Sequence, residues 1–259
     1  MDMKFFSFCC LMGAGALMAS CSSENDAQPS GEGTISLNVT AETGFQSRAL
    51  DESDYQNLNN YTVQLIKESA VLNTWNYADL PSSIKVDAGN YQVKAFYGED
   101  QAVSRESMYV EGVTDVTVTP STGEEAATQT VSVTCKPVCA KVSVKFADSM
   151  SEYFSDYYVT FKTTALGDET FVWSKTDTDP AYLKVEENES VSVTISTTKI
   201  SDSSQSTTNK TYTMSPQTGL TINVSPKAPD AEGNISISVK IDTSTVDHEQ
   251  DIEVPNDWI

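Results

Sequence analysis

The sequence predicts an all-β protein: two consecutive β-sandwich domains behind a cleaved leader and a flexible tether. Three observations carry this. Apolar residues recur at every second position rather than at the three-to-four spacing of a helix, and serine and threonine crowd the sites between them. The first half breaks into about seven such stretches, the strand count of a small antiparallel sandwich. Landmarks of the first half also return in the second: Tyr61, Trp75, Pro81 and Val86 as Tyr158, Trp173, Pro180 and Val185, and Tyr91, Val93 and Ala95 as Val191, Val193 and Ile195. The offset drifts only from 97 (158 − 61) to 100 (191 − 91), which reads as two copies of one domain.

The chain opens with one positive charge, Lys4, and an apolar run from Phe5 to Ala19. That is a secretion signal in form, and it falls short of the roughly 20 apolar residues a membrane-spanning helix needs. It ends in Met18-Ala19-Ser20-Cys21. Small residues directly before a cysteine resemble the bacterial lipobox, which implies removal of residues 1–20 and acylation of the Cys21 thiol. Two acyl chains hold a protein on a membrane stably. An ordinary signal with a chance cysteine is the alternative. Residues 21–33 have, after the cysteine and apart from Pro29, no apolar side chain larger than alanine and form a tether. Glu24 and Asp26, so near Cys21, resemble the export signal that sends Bacteroidetes lipoproteins to the outer face of the outer membrane; a merely solvated leash is the other reading.

Composition narrows the partners. With 37 acidic against 16 basic residues the formal charge is −21, which repels nucleic acid and anionic lipid headgroups alike. The charge is spread along the chain, as in a solubilising surface. Of five cysteines, Cys9 and Cys10 leave with the leader and Cys21 takes lipid, so Cys135 and Cys139 remain for the fold. Four residues of extended chain separate their Cα atoms by about 13 Å, beyond bonding range, so a disulfide requires Pro137 to turn the chain back. Two cysteines and the distant His248 do not make a four-ligand zinc site.

In order along the chain, Thr34 to Glu42 alternates, with Ile35, Leu37, Val39 and Ala41 on one face. Tyr61 to Leu65 alternates again. Ser82 to Tyr97 reads as two strands turned at Asp87-Ala88-Gly89-Asn90, where glycine supplies backbone freedom. Met108 to Val110, Val113 to Thr119 and Thr130 to Cys135 follow. Lys136-Pro137 marks the boundary between domains 34–136 and 137–259, because proline does not sit inside a sheet. Ala140, Val142, Val144 and Phe146 then restart the alternation, and Thr211 to Met214, Leu220 to Val224, Ile235 to Ile241 and Asp251 to Val254 complete the set.

Tyr61-Thr62-Val63, Trp75-Asn76-Tyr77-Ala78-Asp79-Leu80-Pro81, Ile84 and the block Gly89 to Gly98 resemble a Bacteroidales surface-lipoprotein family known as a domain of unknown function, and Lys141 to Phe146 resembles its second block. Such lipoproteins are similar in organisation to fimbrillins and fimbrial anchors. The resemblance implies tandem transthyretin-like (Greek-key) β-sandwiches at the cell surface, with no catalytic signature.

Candidate sites follow from these readings. The resemblance to fimbrillins implies trypsin-like cleavage between Arg48 and Ala49, which would release the first strand and open a sheet edge to a neighbouring subunit. Left uncut, Arg48 is a surface residue of a polar loop. Tyr153, Phe154, Tyr157 and Tyr158, with Trp75 and Trp173, form the aromatic grouping that would stack on a glycan; closing a core is the competing role. Trp75 and Tyr153 are the stacking candidates. Asp148-Ser149-Met150 resembles the Bacteroidetes O-glycosylation triplet, with Ser149 as acceptor. Asp177, Asp179, Glu186, Glu187 and Glu189 are oxygen donors of the kind calcium takes, without the spacing of a recognised calcium loop. One histidine, no Gly-x-Ser-x-Gly motif and no paired carboxylates at defined separation argue against an enzyme, and no cofactor or metal is expected. The leading expectation is a lipid-anchored structural or adhesive surface protein, a fimbrial subunit or anchor whose partners are the membrane and other surface subunits. The rival is a glycan-binding accessory lipoprotein of a polysaccharide-uptake system.

Overall fold

The computed structural model describes residues 31–42, 53–120, 128–227, 235–242 and 250–252. Cys21, Arg48 and Ala49 lie outside them.

Alternation becomes strand wherever one face can be buried. In the first half the strands are β1 (Glu32–Ala41), β2 (Thr62–Lys67), β3 (Ala70–Asn76), β4 (Ile84–Asp87), β5 (Gly89–Tyr97), β6 (Val103–Ser104), β7 (Val110–Val118) and β8 (Thr128–Pro137). The second half supplies β9 (Cys139–Phe146), the short helix α1 (Met150–Tyr153), β10 (Phe154–Lys162), β11 (Phe171–Ser174), β12 (Ala181–Lys184), β13 (Glu189–Lys199), β14 (Gln205–Met214), β15 (Gly219–Pro226), β16 (Ile237–Asp242) and β17 (Gln250–Ile252). They form three sheets.

The seven-stranded sheet runs β3-β2-β5-β7-β8-β1-β4. Its middle joint is slight: β7 and β8 pair only at Val110 with Pro137 and Glu111 with Lys136. The sheet therefore divides into two leaves, β3-β2-β5-β7 and β8-β1-β4, around one core that holds Ile35, Val39, Val63, Leu65, Val93 and Val133. The second half repeats the plan, with one leaf β11-β10-β13-β14 and a second containing β15-β9-β12. In each half the first strand pairs in parallel with the last strand of its leaf, β1 with β8 and β9 with β15.

The repeat extends to register. Val63 lies opposite Trp75 on one side and Ala95 on the other, and Val159 lies opposite Trp173 and Ile195. Trp75, Val93 and Ala95 thus correspond to Trp173, Val193 and Ile195, but Tyr61 does not correspond to Tyr158: the first is buried two residues before Val63, and the second is exposed one residue before Val159. Additions to the second half set it apart: β16 and β17 extend its sheet beyond β15, and β6, donated by the first half, extends it beyond β12.

Several strands differ from the sequence reading. β7 is a single strand where two short ones are expected. β3 has no alternation, because six of its seven side chains are exposed and Trp75 alone is half-buried. The bend at Asp87 to Asn90 does not pair the strands it joins. β4 lies against β1, whereas β5 lies between β2 and β7, so Ala88 carries the chain from one leaf to the other. Pro137 ends β8 without interrupting a ladder, consistent with the strand-end placement proline tolerates.

Candidate functional site

The most elaborated region is the junction between the halves. Its construction begins at Gly98 (φ +80°), where a Cβ would sit 2.5 Å from the Met108 carbonyl oxygen. Only glycine lets the chain leave β5 so close to the strand returning toward β7. The excursion crosses to the second half, where β6 pairs with β12, Val103 opposite Leu183 and Ser104 opposite Tyr182. The Ser104 hydroxyl then accepts the backbone N–H groups of Glu106 and Ser107, each at 3.2 Å, and turns the chain back.

Arg105 stands at that turn. Its guanidinium carbon lies 4.5 Å from the ring centre of Trp173 and 4.9 Å from that of Phe171. Nη1 donates to the Asp179 carbonyl at 2.7 Å, and Nη2 is 3.0 Å from Asp177 Oδ2. Asp177 is itself held, since Oδ2 accepts the Ser174 N–H at 2.7 Å and the Ser174 hydroxyl at 3.1 Å. A planar cation stacked on aromatic faces, donating from Nη1 while Nη2 sits beside a carboxylate without a hydrogen bond of its own, is an arrangement lysine does not reproduce. Further links are the Lys184 to Asp100 ion pair, the Lys184 N–H to Ala102 carbonyl at 3.0 Å and the Val138 N–H to Tyr109 carbonyl at 3.1 Å. The cores interlock as well: Tyr182, from the second half, packs into the first core, and Val103 packs against the second.

Beside these links lies a half-open cleft of about 370 Å³, lined by Tyr55, Tyr97, Arg105, Glu106, Asp179 and Tyr182 among others. Its lining tyrosines Tyr55 and Tyr182 are buried in the first core, and its one guanidinium donates to the Asp179 carbonyl. Nearby, Glu111 accepts the Tyr109 hydroxyl at 2.8 Å and pairs with Lys94 at 2.9 Å. Burial lifts the Tyr109 hydroxyl to about 12, with Lys94 opposing and Glu111 reinforcing the shift. Burial opposes the Lys94 charge, but hydrogen bonds and charge at Glu111 and Tyr109 prevail, and its pKa rises.

The other sequence candidates are dispersed. Trp75 packs against the first core and Tyr153 against the second. Tyr157 meets Phe146 edge-on at 4.9 Å, and Trp173 is wholly buried. Ser149 is half-buried in the turn before α1. Three of the five carboxylates named above, Asp177, Glu187 and Glu189, are engaged by backbone and side-chain donors. Glu189 accepts the N–H groups of Thr164 and Glu186, Glu187 accepts the Ser215 hydroxyl, and Asp177 holds Arg105. Among the described residues no group of three His, Cys, Asp or Glu side chains is placed to hold a metal ion. Cys135 and Cys139 are buried thiols in the first core, not joined in a disulfide. Burial, helped by the Glu111 charge, pushes the Cys135 thiol up to about 12. Among the described residues no helix is long and apolar enough to cross a membrane.

Arg105 is the residue the sequence reading missed. One signal was available: it is one of only two arginines in the chain, beside Arg48.

Comparison with known proteins adds the following. No curated protein matches the chain. The fimbrial anchor protein Mfa2 from Porphyromonas gingivalis is similar at 10% identity with a TM-score of 0.45, over 82% of this chain and 98% of that one. A fimbrial assembly protein from Parabacteroides distasonis is similar at 11% identity with a TM-score of 0.43, over 86% of this chain and 99% of that one. The family model described as Domain of unknown function (DUF4493) matches residues 31–256. That span takes in both halves and the junction between them, and the chain belongs to the DUF4493 family.

Proposed function

We propose that the mature protein is a cell-surface lipoprotein of the outer membrane, held through Cys21, that acts as a structural or adhesive component of the fimbrial kind. It would comprise two tandem transthyretin-like sandwiches, residues 34–136 and 137–259. One observation carries the reading. β1 and β8 run parallel, with Thr34 beside Thr128 and Ala41 beside Cys135, so the chain enters the first half at one end and leaves it at the other. Ten residues of strand span about 33 Å. A chain tethered on its N-terminal side therefore presents its second half away from the attachment, with the junction contacts joining the halves.

The glycan-binding alternative would use Trp75 or Tyr153, which pack against separate cores. Within the fimbrial reading, the N-terminus separates anchor from subunit. Cleavage after Arg48 would free β1 from the chain that follows it. Because β1 lies between β4 and β8 rather than at a rim, its departure would open a slot within the sheet, lined by the sites of Ile35 and Val39. Such a slot suits a strand from a neighbouring subunit.

The test is to purify the protein from surface-shaved cells and read its N-terminus by mass spectrometry. A lipid-modified Cys21 supports the anchor and Ala49 the processed subunit. Cys21→Ser should release the protein from membranes and abolish its display to externally added antibody. Unchanged attachment and display would end the proposal.

A further inference from the structure

We infer that β1 is a mechanical clamp: the strand that receives the tether is held so that tension on the chain loads it in shear. Hydrogen bonds between strands lie across the strand direction. Force along a strand must therefore strain many of them together, whereas force across it breaks them one pair at a time.

β1 is placed for the first case. It pairs at four positions with β4 and at eight with β8, one strand on either side. At its beginning the Gly31 carbonyl accepts the Ala88 N–H at 2.6 Å; past its end the Glu42 N–H donates to the Cys135 carbonyl at 2.9 Å. A Glu42 to Lys136 ion pair at 3.1 Å closes that end. Between the two, Ile35 and Val39 are 0% and 2% exposed, so withdrawal along the strand axis must also drag two buried side chains through the core.

The load has a path onward. β8, the longer partner, leads through Pro137 and Val138 directly into β9. β9 is likewise an inner strand, with β12 on one side and six parallel positions with β15 on the other. Tension entering at the tether thus passes from one embedded strand to the next and reaches the second half without loading an edge strand such as β3.

The inference rests on the tethered reading for its biological meaning, but its test does not require lipid. The full chain, with Cys9→Ser and Cys10→Ser, is stretched as a single molecule from the Cys21 thiol. In one arm the second handle is Ala78→Cys, at the end of the first half away from the start of β1. In the other it is Thr119→Cys, an exposed position next to Pro120, against which Gly31 packs. The first arm loads β1 along its axis and the second peels it. The expected result is a severalfold higher first rupture force in the Ala78 arm, with a gain in chain length showing that β1 has been released. Equal forces in the two arms, or a first event in the Ala78 arm that leaves β1 in place, would overturn the clamp. Failure of anchoring appears separately, as unchanged attachment of Cys21→Ser, and does not alter the force ratio.

Discussion

Replacing Arg105 with alanine tests whether the two halves behave as one body. The substitution removes a charged hydrogen bond of 2.7 Å to the Asp179 carbonyl, an ion pair of 3.0 Å to Asp177 and stacking at 4.5 Å on Trp173. A hydrogen bond from a charged donor is worth about 1.5–3 kcal/mol and a cation over an aromatic face about 0.5–2 kcal/mol. The ion pair adds less than about 1 kcal/mol, since both side chains are near 30% exposed. These contacts share one guanidinium and do not sum, so the expected loss is about 2–3 kcal/mol. Urea unfolding followed by tryptophan fluorescence reads it, because Trp173 lies directly under the altered group. The native chain should unfold in one transition; the variant should show two, with the second half weakened. Arg105→Lys keeps the charge without the planar fork and should recover less than half of the loss. A midpoint change worth less than about 0.5 kcal/mol, with a single transition retained, would mean that the junction is held by the β6–β12 pairing and Tyr182 instead.

Three other perturbations have defined outcomes. Gly112→Ala places a Cβ 2.4 Å from the Thr134 carbonyl oxygen, where β7 crosses β8, and the nearest obstacle is backbone. The strands must part by about 1 Å, so urea unfolding should show a loss of roughly 1–3 kcal/mol. Cys135 and Cys139, at 0% and 3% exposed, should not react with a thiol reagent at pH 8 until denaturant is added, and non-reducing gels should show no disulfide-linked form. Alkaline pH should destabilise the fold. Burial raises Cys135 and Tyr109 to about 12 and raises Tyr61 as well, so folding favours their protonated forms. That stability is intact below the unfolded values of 9.0 for the thiol and 10.0 for the phenols and disappears as pH climbs toward 12. Each group contributes a slope of about 1.4 kcal/mol per pH unit within its window, measurable as a falling melting temperature above pH 9.

Much of the fold was legible because alternation records burial. Ile35 and Val39 in β1, Val63 and Leu65 in β2, and Val191, Val193 and Ile195 in β13 each face a core, and each declares its strand locally. The recurrence around Trp75 and Trp173 was legible for the same reason. Equivalent core positions need similar side chains, so Val63 opposite Trp75 reappears as Val159 opposite Trp173. β3 was not legible, since an edge strand with both faces largely in solvent has no burial to impose a period.

By itself, then, the sequence determined the strand chemistry and the tryptophan-centred landmarks of each half, which are written in short runs of neighbouring residues. Only the tertiary structure decided that Ala88 crosses between leaves, that β1 lies inside its sheet and that Arg105 reaches the second half. Turn residues are the same for a hairpin and a crossover, and an edge and an inner strand can share one alternating pattern. Arg105 and Asp179 are 74 positions apart, and their meeting depends on how both halves pack, which no local period encodes.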